Sequence, residues 1–349
     1  MRFRFAFCCA LLAACDASSD APTDTTVAPG KVYVADEDSG TVSVIDVTTN
    51  TRVAVVELGL PGMMFMPHNV QAAPDGHSIW VVAPPMEGHA SDEEQVVVID
   101  PTSDAIVWRA SLGEHLHLAH VVLDDASAHA FVTANETGQV FRVDAQTHAV
   151  DVLAELGAAA KPHGVRACGG ELYVAEMGAL GVAVIDQVTG EVSDVPTGGV
   201  TVQSACTRDG RWAFATLYDT REVVRIDVAT HAVTRIALPA GAQGPVQLYP
   251  APDSKRVYVC DQGTLMDRPA SNRLYEIDVA KAEVTATITV GQGAHGVVVS
   301  EDARRAYVTN LLDDTVSVVD TAERAEVAVI PVGHKPNGIA HWHVTGGMP

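Results

Sequence analysis

Apolar and polar positions alternate along this chain in short runs with a period of two, which is the pattern of strands. The runs come in pairs. Each pair opens on an apolar strand carrying an aromatic residue, passes through a loop, and closes on a strand ending in Val-Asp or Ile-Asp. Seven copies are legible: 32–46, 79–100, 130–144, 172–186, 213–227, 257–278 and 306–320. The closing residues are Asp46, Asp100, Asp144, Asp186, Asp227, Asp278 and Asp320, spaced 54, 44, 42, 41, 51 and 42 apart. Both long intervals contain an insert inside the loop of the pair, so the core period is about 42 residues. Four short strands per unit at that period predict a β-propeller.

Within a unit, strand a starts in a segment such as Pro162-His163-Gly164-Val165 and strands b and c form the quoted pair. Turns such as Pro74-Asp75-Gly76 join a to b. A Thr-rich turn joins c to d, and each closing Asp sits there as an acceptor of backbone N–H groups. The first pair has no strand a before it, whereas 336–340 reads as a strand a with nothing after it. The C-terminal segment is therefore expected to complete the first blade and remove the open edge. The predicted fold is all-β, a seven-bladed β-propeller over 31–345 with four-stranded blades, followed by a short tail at 346–349.

Composition changes this picture little. The hydrophobic fraction is 47%, supplied mainly by β-favouring and small residues, which suits such a core. A formal net charge of −22 argues against nucleic acid, whose phosphates require clustered Lys and Arg. There is no Cys-x-x-Cys-His, so no c-type haem is expected.

Tyr307-Val308-Thr309-Asn310, followed by Thr315 to Asp320, resembles the YVTN-repeat family, as do the His-Gly-Val segments and Asp-Gly turns. The resemblance covers roughly 31–345 and implies the propeller fold. Relatives of that kind include bacterial envelope and surface-layer propellers. More distant similar folds are lactonases, the haem d1 domain of nitrite reductase and the copper-bearing propeller of nitrous oxide reductase.

The N-terminus reads as a targeting segment. Arg2 and Arg4 precede an apolar run from Phe5 to Ala14 that is too short to span a bilayer. Leu12-Ala13-Ala14-Cys15 resembles the bacterial lipobox, which implies a signal peptide over 1–14 and a lipidated Cys15. Residues 16–30 then read as a flexible tether. The expectation is an exported, periplasmic or cell-envelope lipoprotein, membrane-anchored through Cys15 and monomeric. Cys168, Cys206 and Cys260 remain in the domain. Counted from the axial positions given below, Cys168 and Cys206 share parity, so their side chains are not expected to meet. Cys168 sits at a turn, where parity is a weak guide.

Function is expected on the face carrying the d–a and b–c loops. Both inserts, Pro84 to Glu94 and Gln262 to Asn272, are b–c loops, and long loops on a rigid scaffold tend to carry binding sites. Met63, Met64, Met66, Met86, Met177 and Met266 all map to that face. One polar residue per strand a is expected at the channel mouth: His68, His120, His163, Gln203, Gln247, His295 and Asn337. His117 and His334, three positions earlier in two blades, form a candidate outer layer.

Imidazole with thioether suits copper, and neutral imidazole also suits zinc. The candidate ligands are His68, His120, His163 and His295, with His117, His334, His89, Met66 and Met86 behind them. The same His segments can equally serve as inter-blade hydrogen-bonding groups. Three functions fit the sequence: a metal- or ligand-binding envelope propeller, a lactonase-like or other metal-assisted hydrolase, and a scaffold docking an envelope protein on its loop face. An enzyme would draw its base from Glu87, Asp92, Glu93, Glu114, Asp261 or Asp267. No catalytic set is legible.

Overall fold

The computed structural model describes residues 29–86 and 92–343. Among them are 28 strands, numbered here in chain order, in seven four-stranded antiparallel sheets. The innermost strands are β4 (Asn69–Ala72), β8 (Leu118–Leu123), β12 (Pro162–Cys168), β16 (Thr201–Cys206), β20 (Pro245–Pro250), β24 (Ala294–Val299) and β28 (Pro336–His343). Neighbouring inner strands touch around the ring, and β24 passes to β28 and β28 to β4. The chain is a seven-bladed propeller.

Blade 1 is built from both ends of the chain. Its order is β28, β1 (Gly30–Asp36), β2 (Thr41–Asp46) and β3 (Thr51–Glu57). Gly30 lies opposite His343, Val32 opposite His341 and Val34 opposite Ile339. The C-terminal strand thus supplies the inner edge of the first blade. The signal peptide, Cys15, most of the tether and the 346–349 tail lie outside the described residues.

The core is divided between blades rather than gathered in one centre. One cluster joins Tyr33 and Val44 of blade 1 to Val70 and Val81 of blade 2. Another joins Val122 and Phe131 of blade 3 to Val165 and Val174 of blade 4. Every strand b carries an aromatic residue at the same register position: Tyr33, Trp80, Phe131, Tyr173, Phe214, Tyr258 and Tyr307, none more than 1% exposed. Each such ring removes roughly 1.5–3 kcal/mol worth of apolar surface from water. The outermost strands alternate instead: in β3 only Val56 is fully buried. Sheet faces are covered by neighbouring blades, and the rim meets solvent.

The seven closing aspartates act as turn acceptors. Asp186 Oδ1 accepts from the backbone N–H of Val188 at 2.9 Å and of Thr189 at 2.7 Å. Asp46 does the same for Thr48 and Thr49, and Asp320 for Ala322 and Glu323. These bonds hold Asp186 and Asp46 below the usual carboxylate range.

Candidate metal centre in the axial channel

Six of the seven inner strands carry a bulge near their start. In six blades two consecutive residues stand opposite a single residue of strand b; in blade 4, for example, the register shifts between Pro162 and Val165. The bulge sends both residues of the doublet toward the channel, giving two staggered layers. By register the upper layer is His68, Ala119, His163, Val202, Val246, His295 and Asn337. The lower layer is Asn69, His120, Gly164, Gln203, Gln247, Gly296 and Gly338. This corrects the single ring expected from sequence: His120, Gln203 and Gln247 sit one residue further along. Alignment by polar character chose whichever member of the doublet was polar, and the bulge hides that offset.

Three blades with a polar upper residue have glycine below it because the space is taken. A Cβ on Gly164 would lie 1.7 Å from Gln203 Oε1, and one on Gly296 would lie 2.6 Å from the Asn337 carbonyl oxygen. The layers therefore interlock.

The interlocking gathers three imidazoles. Ligand atoms of His68, His120 and His163 lie within 4.8 Å of one another. His68 Nε2 and His163 Nε2 are 3.3 Å apart, and the His120 and His163 ring centroids 4.8 Å. His163 Nδ1 lies 2.9 Å from the Val202 carbonyl, so Nδ1 carries the proton and Nε2 presents its lone pair. His120 is fully buried; its Nδ1 meets Gln203 Nε2 at 3.3 Å, and its Nε2 has no partner among the described residues.

Burial holds all these rings neutral. Desolvation, then the neighbouring imidazoles, push His68 and His120 well below the usual histidine range. Desolvation lowers His163 to about 4 and His295 to about 3. Neutral imidazole is the form that ligates metals.

Above the triad opens a cavity of about 520 Å³. Its polar lining includes Glu37, His68, His117, His163, Gln262, His295, Lys335 and Asn337. His295 belongs to the cavity wall rather than to the three-His group, with Nδ1 held at 2.6 Å by Gln262 Oε1. His117 is exposed at the mouth, its ring 6.1 Å from that of His68. His334 is not an outer-layer ligand: it is exposed and pairs with Asp314 at 2.8 Å. Met66 and Met86 are half-buried and do not line the cavity; their backbone N–H groups bond the Pro84 and Met64 carbonyls. Met177 is the methionine that does line it. His89 and Glu87 lie outside the described residues. Asp92, Glu93, Glu114 and Asp267 are exposed and absent from the lining. Asp261 is committed to the Gln243 and Gly244 N–H groups and the Ser271 hydroxyl. The cavity carboxylate is Glu37, which the sequence reading missed. Its only signal was position, in the b–c loop of the blade that the C-terminal strand closes.

The register offset also corrects the cysteines. Cys168 and Cys206 form a disulfide joining blades 4 and 5. Cys206 lies opposite Ala213, the equivalent of Leu172, which faces Ala167. Cys168 is one residue beyond Ala167, so the two cysteines have opposite parity and face each other. Cys260 is free and buried.

No protein-family model matches the chain, and no curated protein matches it. Solved structures do. Hydrazine synthase from Kuenenia stuttgartiensis is similar with a TM-score of 0.68 at 18% identity, over 82% of this chain and 91% of that one. Apo AztD from Citrobacter koseri gives 0.65 at 14%, over 90% and 98%. Virginiamycin B lyase from Staphylococcus aureus gives 0.65 at 13%, over 78% and 87%. Identities this low show the shared propeller fold alone.

Proposed function

We propose that this chain is an envelope-anchored YVTN-repeat propeller that binds a divalent transition-metal ion, zinc or copper, through His68, His120 and His163. The observation that carries this reading is the 3.3 Å separation of His68 Nε2 and His163 Nε2. Two imidazole nitrogens bound to one tetrahedral ion at 2.0–2.1 Å stand about 3.3–3.4 Å apart. His120 supports it, because an ion at the centre supplies a partner for its orphaned ring nitrogen. The donor set is nitrogen only at the centre, with Met66 and Met86 outside the cavity, so it suits a divalent ion better than cuprous copper. Three protein ligands leave the fourth position facing the cavity, as in sites that exchange a ligand.

Metal analysis of the untagged protein recovered from the envelope tests this. About one zinc or copper per chain is expected, and His68→Ala with His163→Ala should abolish it. No metal after loading with either ion overturns the reading and leaves the imidazoles as inter-blade hydrogen-bonding groups. The same preparation tests the anchor: Cys15→Ser should move the protein from the membrane to the soluble fraction, and unchanged fractionation would refute lipidation.

A second reading, a lactonase-type or other metal-assisted hydrolase, is favoured by the cavity itself. Its volume of about 520 Å³ is that of a small-molecule site, and it opens directly over the imidazoles. Turnover of a lactone panel that vanishes on chelation would select it; a metal-loaded but inert protein would reject it.

A further inference from the structure

The hydrogen bonds around Asn337 place His68 in the wrong tautomer for a metal. The Asn337 side-chain nitrogen donates to Glu37 Oε2 at 2.8 Å and to His68 Nδ1 at 3.3 Å. An accepting Nδ1 leaves the His68 proton on Nε2. That N–H points at the lone pair of His163 Nε2, 3.3 Å away. The chain from Glu37 through Asn337, His68 and His163 to the Val202 carbonyl is thus internally consistent without an ion.

It is consistent at a cost on its other side. Asn337 Oδ1 is buried with no partner, and so is His295 Nε2. The two side chains are within interaction range of each other. His295 Nδ1 donates to Gln262 Oε1, so the remaining ring nitrogen, Nε2, holds a lone pair. Two acceptors then share one buried corner, each without a donor.

Turning the Asn337 amide by half a revolution exchanges its oxygen and nitrogen. The nitrogen then donates to His295 Nε2, and the oxygen accepts from His68 Nδ1. The His68 proton moves to Nδ1, and Nε2 is left bare for a metal. One contact opposes the turn: the amide oxygen would face the Glu37 carboxylate. Glu37 is half-buried on a loop at the cavity mouth and can swing away.

We propose that Asn337 and Glu37 form a tautomer gate, in which Glu37 holds the Asn337 amide in the orientation that disarms His68, and ion binding turns the amide and releases Glu37 into the cavity. This rests on the three-His reading of the site. Asn337 and Glu37 are positioning residues: they act through His68. A released Glu37 would stand over the open coordination position as a carboxylate available to whatever the cavity holds.

Nitrogen NMR of imidazole-labelled protein, with and without zinc, reads the gate directly. Metal-free wild type should show His68 protonated at Nε2, and Glu37→Gln should shift it toward Nδ1, since a Gln amide can donate to the turned Asn337 oxygen. Glu37→Gln should bind zinc about 10-fold more tightly, and Asn337→Leu about 10–100-fold more weakly. Asn337→Asp, which accepts but cannot donate, should keep wild-type affinity or better. His68 already protonated at Nδ1 in the metal-free protein, or Glu37→Gln binding zinc more weakly, would overturn the gate. Failure of the wild type to bind any metal would instead sink the metal reading, and the metal-free spectra of wild type and Glu37→Gln would still decide the amide orientation. Should Asn337→Leu fail to fold, Glu37→Gln carries the test alone, because Glu37 lies at the surface end of the network.

Discussion

The outer c–d turns and the axial doublets are both repeated seven times, and they have diverged to different degrees. At the outer turn every blade carries an aspartate, and each aspartate accepts the backbone N–H of the residue two positions after it, three positions after it, or both. At the axis the upper layer alone holds four residue types: His, Ala, Val and Asn. The turn has the same task in every blade, so one solution serves everywhere. The axis has a single centre, so seven inner strands must contribute different parts to one constellation. In a repeat protein, uniform positions point to folding, and positions that vary around a shared axis point to a site.

Three perturbations bear on this contrast. The largest removes the ring that both regions depend on. Deleting residues 336–349 takes β28 from blade 1 and leaves β1 as an open edge beside β2. Loss of cooperative unfolding is the expected outcome, checked by thermal melts; a native melt would mean that three-stranded closure suffices. The next perturbation addresses the axis through pH. The folded pKa of His163, about 4, lies below the ordinary histidine value of 6.5. Between those values the unfolded chain takes up a proton that the folded ring refuses, so stability falls as pH falls, and this group contributes no further change above pH 6.5. Metal-free His163→Gln should lose on the order of 2 kcal/mol less than wild type between pH 7 and pH 4 in urea titrations. Parallel curves would show that the ring does not titrate as its burial demands. The smallest effect belongs to the turns. Asp186→Ala should lower the urea midpoint slightly in the same titration and leave metal content unchanged. A loss of metal in that variant would erase the distinction between turn and axis.

The fold was legible because its signal is local and repeated. Strands b and c alternate, the inter-blade aromatic recurs at one position, and the Asp turn closes each pair. The axial site was half legible for the opposite reason. His68, His163, His295 and Asn337 stand where strand alignment puts them. His120, Gln203 and Gln247 differ by one position, because a bulge adds a residue without leaving a mark in composition. That single offset also turned the parity of Cys168 against Cys206. Met66, Met86 and His334 share the loop face with the cavity but not its wall, since a face is a coarser address than a channel. Glu37 was invisible as chemistry: one carboxylate among 44 acidic residues says nothing until the closing strand sets Asn337 beside it.

The pairing of β1 with β28 also sets a schedule. Strand β1 is among the first parts of the domain to be made and β28 is the last. Until residue 343 has been synthesised, Gly30 to Asp36 has no inner neighbour, and the doublet that delivers Asn337 to the axis does not exist. Blades 2 to 7 can assemble in the order of their making, but the channel is completed only after β28 has been made. Termination before residue 336 therefore leaves blade 1 without its inner strand and the axial layers without Asn337 and Gly338.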